Sequence, residues 1–170
     1  MTTPNIYIAC LASYNNGILY GKWLDATQGL DVIQDEIHTM LSQSTIPHAE
    51  EWAIHDYEGF GSYQLSEYEG ITTICEIADF IVKHGELGVE VMANIGCDLE
   101  SAEEIIENQY HGIYDNELEF AMQLFDDCYS HEVPAAIQYY IDYDAFRRDL
   151  FMSDYFSVTI DGVTHVFSHH

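Results

Sequence analysis

Apolar residues alternate along IYIACLA (6–12) and again along GILYGKWL (17–24), with the turn-forming Tyr14-Asn15-Asn16-Gly17 between them. That pattern predicts two strands. Between Leu30 and Leu41 the period changes: Leu30, Ile33, Ile37, Met40 and Leu41 recur at helical spacing. Asp31, Asp35 and Glu36 take the rest of that helix surface. EEWAIHDYEGF (50–60) alternates once more, with Trp52 and Ile54 on one face. Strand, strand, helix, strand makes a small α+β unit.

The next segment reads differently. After Ser66, the residues Ile71, Ile74, Cys75, Ala78, Ile81 and Val82 repeat at helical spacing up to Gly85, and a second apolar segment runs from Val89 to Ile95. From Cys97 the types mix again. Ser101-Ala102-Glu103-Glu104 fits a capping box opening a helix with Ala102, Ile105 and Ile106 inside. Asn116 and Glu119 repeat the signal before Leu118, Met122, Phe125 and Tyr129. Finally, YFSVTI and VTHVFS flank Asp161-Gly162, a strong two-residue hairpin signal. The expectation is an α+β chain of three modules: residues 1–60 (sheet plus helix), 61–97 (helical) and 98–170 (α+β with a hairpin).

Charge changes the picture. The 170 residues hold 30 Asp plus Glu against 4 Lys plus Arg, a formal net charge of −26, yet 48% of residues are hydrophobic and 14% aromatic. Such a composition folds, so the charge is mounted on a packed body and not on a disordered tail. From Trp23 to Val82 there are twelve carboxylates and no Lys or Arg; from His84 to Phe146 there are fifteen and again none. This field repels nucleic acid and anionic lipid, and it selects a basic partner. Neither a targeting peptide nor a membrane span is visible, and Cys10, Cys75, Cys97 and Cys128 form no CxxC pair. They read as reduced thiols in a cytoplasmic protein.

Motifs for catalysis are missing. No HExxH, GxSxG, phosphate-binding glycine loop or EF-hand order occurs. His55-Asp56 and His131-Glu132 are the only base and acid neighbours of note. In a strand such neighbours point to opposite faces, so His55 and Asp56 are not expected to touch. No cofactor, metal site or catalytic residue is expected.

The carboxylates themselves are the remaining chemistry. Glu100, Glu103, Glu104 and Glu107 share a helical stripe, where each like-charge pair costs about 0.2–0.5 kcal/mol. Stability does not explain them. A duplex with as many charges is roughly 44 Å long, and a compact chain of this length is on the order of 40 Å across. Composition alone leaves open a solubility or high-salt adaptation, a divalent-cation-binding protein, and a decoy that offers carboxylates where a DNA-binding groove expects phosphates. The distributed set for a decoy is Asp31, Asp35, Glu36, Glu50, Glu51, Glu58, Glu67, Glu69, Glu100, Glu103, Glu104, Glu107, Asp115, Glu117, Glu119, Asp126 and Asp127.

Three stretches carry a resemblance: IYIACLASYNNGILYGKW, EEWAIHDYEGF and YSHEVPAAIQYYIDYDAFRRDL. The last holds Glu132-Val133-Pro134, Tyr140-Ile141-Asp142-Tyr143 and Arg148-Asp149-Leu150. Over essentially its whole length the chain resembles the ArdA antirestriction family. The resemblance implies an elongated three-domain protein that mimics bent B-form DNA, forms a homodimer through its C-terminal domain, and travels on plasmids and conjugative transposons. It implies occupation of the DNA groove of type I restriction-modification enzymes, at their specificity and modification subunits, without cofactor, catalysis, nucleic-acid binding or membrane binding. It places the family's antirestriction motif at about residues 126–143, near the dimer contact, with Tyr129, Glu132, Val133, Pro134, Tyr140, Ile141, Asp142, Tyr143, Arg148 and Asp149 as structural or dimer residues. Arg148 reads as a structural clamp on the helix that Asp142 caps; Arg147, where the family tolerates other residues, is given no role.

Overall fold

The computed structural model describes residues 2–96 and 98–170, and the chain is α+β. It divides into two compact units, Met1–Ala93 and Asn94–His170. Residues 61–93 of the expected helical module 61–97 fall in the first unit.

The first unit begins with β1 (Asn5–Cys10), α1 (Leu11–Asn15) and β2 (Gly21–Asp25), followed by α2 (Leu30–Ser42) and β3 (Trp52–Glu58). The strands form an antiparallel sheet in the order β2-β1-β3. Two predicted strand limits move. Leu11 and Ala12 leave the sheet to begin α1, and the Leu11 amide, a first-turn donor without a partner inside that helix, donates to the Glu51 carbonyl at 3.0 Å. β2 starts at Gly21, not 17, because Gly17 and Ile18 still close the turn after α1, their amides donating to the Tyr14 and Ser13 carbonyls at 3.0 Å. Ile6, Ile8 and Cys10 point from one face of β1 into the core, where they meet Ile33, Ile37 and Met40 of α2. Each such aliphatic side chain contributes about 1.5–3 kcal/mol on burial.

A bulge refines β3. Tyr7 pairs with Asp56 and Ile8 with Ile54, so His55 is the extra residue. The bulge switches the inward phase from Trp52 and Ile54 to Tyr57 and turns the His55 ring toward Tyr14, 4.8 Å away edge-on, and Glu67 Oε1 at 3.6 Å. His55 is thus paired with residues other than Asp56.

α3 (Ile71–Ile95) is two helices joined at Gly85, whose φ of 63° and ψ of −155° are open to glycine alone. Ile74, Ile77, Ala78 and Ile81 are buried before the kink, and Val89, Val91 and Met92 after it. Gly85→Ala should lower the stability of the first unit by about 1–3 kcal/mol, read by thermal unfolding; an unchanged midpoint would mean that the helix can straighten at no cost.

The second unit holds α4 (Leu99–Asn108), β4 (Tyr110–Tyr114), α5 (Glu117–Cys128), α6 (Tyr143–Ser153), β5 (Tyr155–Ile160) and β6 (Val163–Ser168), with antiparallel strand order β4-β6-β5. Asp161 and Gly162 turn the β5–β6 hairpin with φ of 50° and 80°, the paired left-handed values of a tight primed turn. Asn116 and Asp142 cap α5 and α6 as expected, accepting from the amides of Glu119 and Ala145 at 2.9 and 3.0 Å. The cap of α4 is Asp98 and not Ser101: its carboxylate accepts from the Ser101 amide at 2.8 Å, which holds the Asp98 carboxyl below its ordinary range. Ser101 therefore lies inside the first turn. Between α5 and α6 the chain makes two 3-10 turns, Ser130–Glu132 and Ala135–Tyr140, the second entered through Pro134. The core gathers Ala102, Phe120, Ala121, Phe125, Leu150, Val158, Val166 and Phe167. Met122 and Tyr129, expected inside α5, are exposed, because Phe120, Ala121 and Phe125 define its inner face.

Candidate functional site

No Asp or Glu of the chain is buried: twenty-four are exposed and six are half-buried. The arrangement follows from the folding pattern. Helices and strands turn their apolar stripes inward, so the remaining positions, filled with carboxylates, face water. Of the seventeen residues expected in the distributed set, Asp31, Asp35, Glu50, Glu51, Glu58, Glu67, Glu100, Glu104, Glu107, Asp115, Glu119, Asp126 and Asp127 are exposed. Glu36, Glu69, Glu103 and Glu117 are half-buried. Glu76, Asp79 and Glu86 on α3 are just as exposed and escaped the sequence reading. Their spacing opposite Ile74, Ile77 and Ile81 was the available signal.

The charge is shared between the units. Fourteen carboxylates stand against Lys22 and Lys83 in the first, and sixteen against Arg147 and Arg148 in the second, leaving −12 and −14. Lys22 lies 3.4 Å from Glu36. Some carboxylates serve the fold: Glu119 accepts from the Asp115 amide, and Glu117 is held on both oxygens.

That last contact corrects the expected clamp. Arg147 donates to Glu117 Oε2 at 3.1 Å and lies 3.7 Å from Asp144, while Ser157 donates to Glu117 Oε1 at 2.8 Å. Three elements, α5, α6 and β5, meet at this one carboxylate. Arg147 is 32% exposed; Arg148 is 64% exposed and, among the described residues, reaches Asp149 alone, at 4.0 Å. The clamp is therefore Arg147. Arg147→Ala should cost about 1–2 kcal/mol by leaving a half-buried carboxylate short of its charged partner, while Arg148→Ala stays within about 0.5 kcal/mol. Equal losses in chemical denaturation would contradict this assignment.

The remaining motif residues fall on one surface stretch. Tyr129 ends α5 exposed, Glu132 and Pro134 are exposed on the turns that follow, and Val133 and Ile141 are half-buried. Tyr143 packs edge-on against Phe125 at 5.4 Å, and Asp149 is exposed. Tyr139 and Tyr140 are 93% and 85% exposed, and Ile137 beside them is half exposed.

Among the described residues no buried side-chain nitrogen or oxygen lacks a hydrogen-bond partner, and no group of three or more His, Cys, Asp or Glu is disposed to hold a metal ion. His131 lies 3.8 Å from Glu132 in the open. Burial lowers the His165 imidazole, whose Nδ1 lies 2.8 Å from the Tyr110 hydroxyl. Its neutral form favours the fold above the ordinary imidazole pKa of about 6.5, and that contribution fades as pH falls toward the lowered folded value. Cys10 and Cys75 are buried free thiols and Cys128 is an exposed one, whereas Cys97 lies outside the described residues. Among the described residues no helix is long and apolar enough to cross a membrane.

The family model for antirestriction protein (ArdA) matches residues 6–165. The chain belongs to the ArdA antirestriction family. The match takes in both units, so the carboxylate-covered surface and the tyrosine-bearing stretch 129–143 are both parts of an ArdA-type body. No curated protein matches the chain.

Proposed function

We propose that this antirestriction protein mimics B-form DNA and occupies the DNA-binding groove of a type I restriction-modification enzyme, at its specificity and modification subunits. It thereby protects incoming plasmid or transposon DNA in the cytoplasm. It is an inhibitor without chemistry of its own and takes no cofactor. One observation carries the reading: thirty carboxylates, none buried, against four cations. A groove built to hold phosphates is lined with Lys and Arg, and these meet carboxylates by the same long-range attraction. Spread over many groups, the energy depends weakly on any one of them.

The decisive experiment is competition between this protein and a duplex oligonucleotide for a purified type I methyltransferase. Mutually exclusive binding is expected; a ternary complex would sink the mimicry. Single exchanges such as Glu104→Gln should change inhibition by less than about threefold, since a rim charge contributes well under 1 kcal/mol.

The same reading includes a homodimer formed through the second unit. Its support is the exposed trio Ile137, Tyr139 and Tyr140, flanked by Tyr129. The double variant Tyr139→Ser, Tyr140→Ser should sediment as a monomer at concentrations where the parent is dimeric. A variant dimer as tight as the parent's would place the contact elsewhere.

A further inference from the structure

Beside α2 the first unit carries an open groove. One part, of ≈ 570 Å³, lies between the end of α2 and the segment that leads into β3; a second part, of ≈ 250 Å³, continues toward Trp52 and Ile71. His38, Leu41 and Glu50 line both parts, so the two adjoin along these side chains. Its floor is apolar: Ile37 and Ile71 are almost fully buried, Leu41 and Ile46 are half-buried, and the Trp52 ring forms a wall. A single carboxylate, Glu50, stands at the join, exposed, and among the described residues it makes no ion pair. His38 and His48 add ring nitrogens at the rim.

We propose that this groove seats an arginine-bearing peptide segment of the restriction enzyme. The inference rests on the electrostatic reading above and gives it a specific anchor. The chemistry selects the occupant. An anion is excluded by the unit's charge of −12, and a purely apolar segment would leave Glu50 desolvated without a partner. Arginine satisfies both halves of the channel. Its three-carbon stem lies along Leu41 and Ile46, its planar head stacks on Trp52, and its N–H groups reach the Glu50 carboxylate in a forked pair with the imidazole nitrogens as further acceptors. Lysine offers the charge without the fork or the stacking plane.

Trp52 supplies the readout, because the only other tryptophan, Trp23, can be replaced by phenylalanine. The full chain carrying Trp23→Phe is titrated with N-acetyl tetra-arginine amide and with its tetra-lysine counterpart. A saturable change in Trp52 emission is expected, tighter for arginine. Glu50→Gln should weaken it about tenfold, the loss of one charge-assisted contact, while Asp154→Asn, an equal loss of charge at an exposed position of the other unit outside the distributed set, leaves it within about twofold. Equal weakening by both exchanges, or an unresponsive Trp52, overturns the groove, as does an emission change driven by protein concentration alone, which assigns the channel to a second copy. Competition with DNA for the methyltransferase, run on the same variants, separates the two ideas. Competition that persists with a silent Trp52 removes the groove and keeps the mimicry; a responsive Trp52 without competition does the reverse.

Discussion

If the protein occupies the DNA groove as proposed, its affinity for a type I methyltransferase should fall between 50 and 200 mM salt, but by fewer decades than that of a duplex for the same enzyme. DNA that makes 6–10 phosphate contacts loses about three to five decades over that interval, because neutralising its phosphates sets free a condensed layer of counterions. That layer exists because a duplex packs one charge into roughly every 1.7 Å of axis. Here the carboxylates are divided between two globular units of −12 and −14, and several are already engaged by the fold, as Glu36 is by Lys22 and Glu117 by Arg147. Fewer counterions are held, so fewer are released. What remains is ordinary screening over about 10 Å at 0.1 M. Plots of log K against log salt for both ligands measure this directly. A flat line for the protein would remove charge from the mechanism, and a slope as steep as the duplex's would show that its surface condenses ions as DNA does. The intermediate slope has a physiological meaning, since the inhibitor then gains on its competitor as salt rises.

Phe120→Ala should lower the stability of the second unit by about 3–5 kcal/mol, the range for removing a buried aromatic ring. Phe120 is 3% exposed and sits in a ring cluster: Tyr155 at 4.9 Å, Tyr114 at 5.0 Å, Phe151 at 5.8 Å and His111 at 5.9 Å. It is the residue through which α5 holds β4, β5 and the end of α6. Few neighbours can collapse into the space it leaves, because each ring is fixed by its own strand or helix. At 1.4 kcal/mol per decade, amide exchange through global opening should speed up by about two to four decades across β4, β5 and β6. Both tryptophans, Trp23 and Trp52, lie in the first unit, so their emission serves as an internal control. Phe120→Leu should lose distinctly less. A second unit with native exchange rates in the alanine variant would mean that the cluster is not the core it is taken to be.

Features with a short-range cause were legible in the sequence. Asp161-Gly162 must turn, since both residues adopt left-handed backbone values, and Asn116 and Asp142 announce their helices through bonds only three residues long. Legibility ended where the partner is distant. Arg147 and Arg148 are adjacent and about 100° apart on a helix; what separates them is Glu117, 30 residues away, which the fold alone brings to Arg147. The cap of α4 was missed for a different reason. Asp98-x-x-Ser101 and Ser101-x-x-Glu104 are overlapping signals, and the earlier acceptor won. α1 was hidden because Leu11 and Ala12 continue the apolar run of β1 without a break in composition. At the functional surface, the acidity was plain from composition, whereas the channel beside α2 needed His38, Glu50 and Trp52 to be brought together in space.

Leu19, Tyr139, Tyr140 and Met152 all stand in water, a load of greasy surface that invites clumping in an ordinary protein. One-signed charge with no buried member offsets that danger, because copies approaching in most orientations meet mutual repulsion before any greasy contact forms. Colloidal behaviour is thereby coupled to recognition. On the proposed reading, the groups that would attract a basic groove also keep the molecules apart in a crowded cell, so a variant stripped of its acidity should become sticky as it becomes inactive.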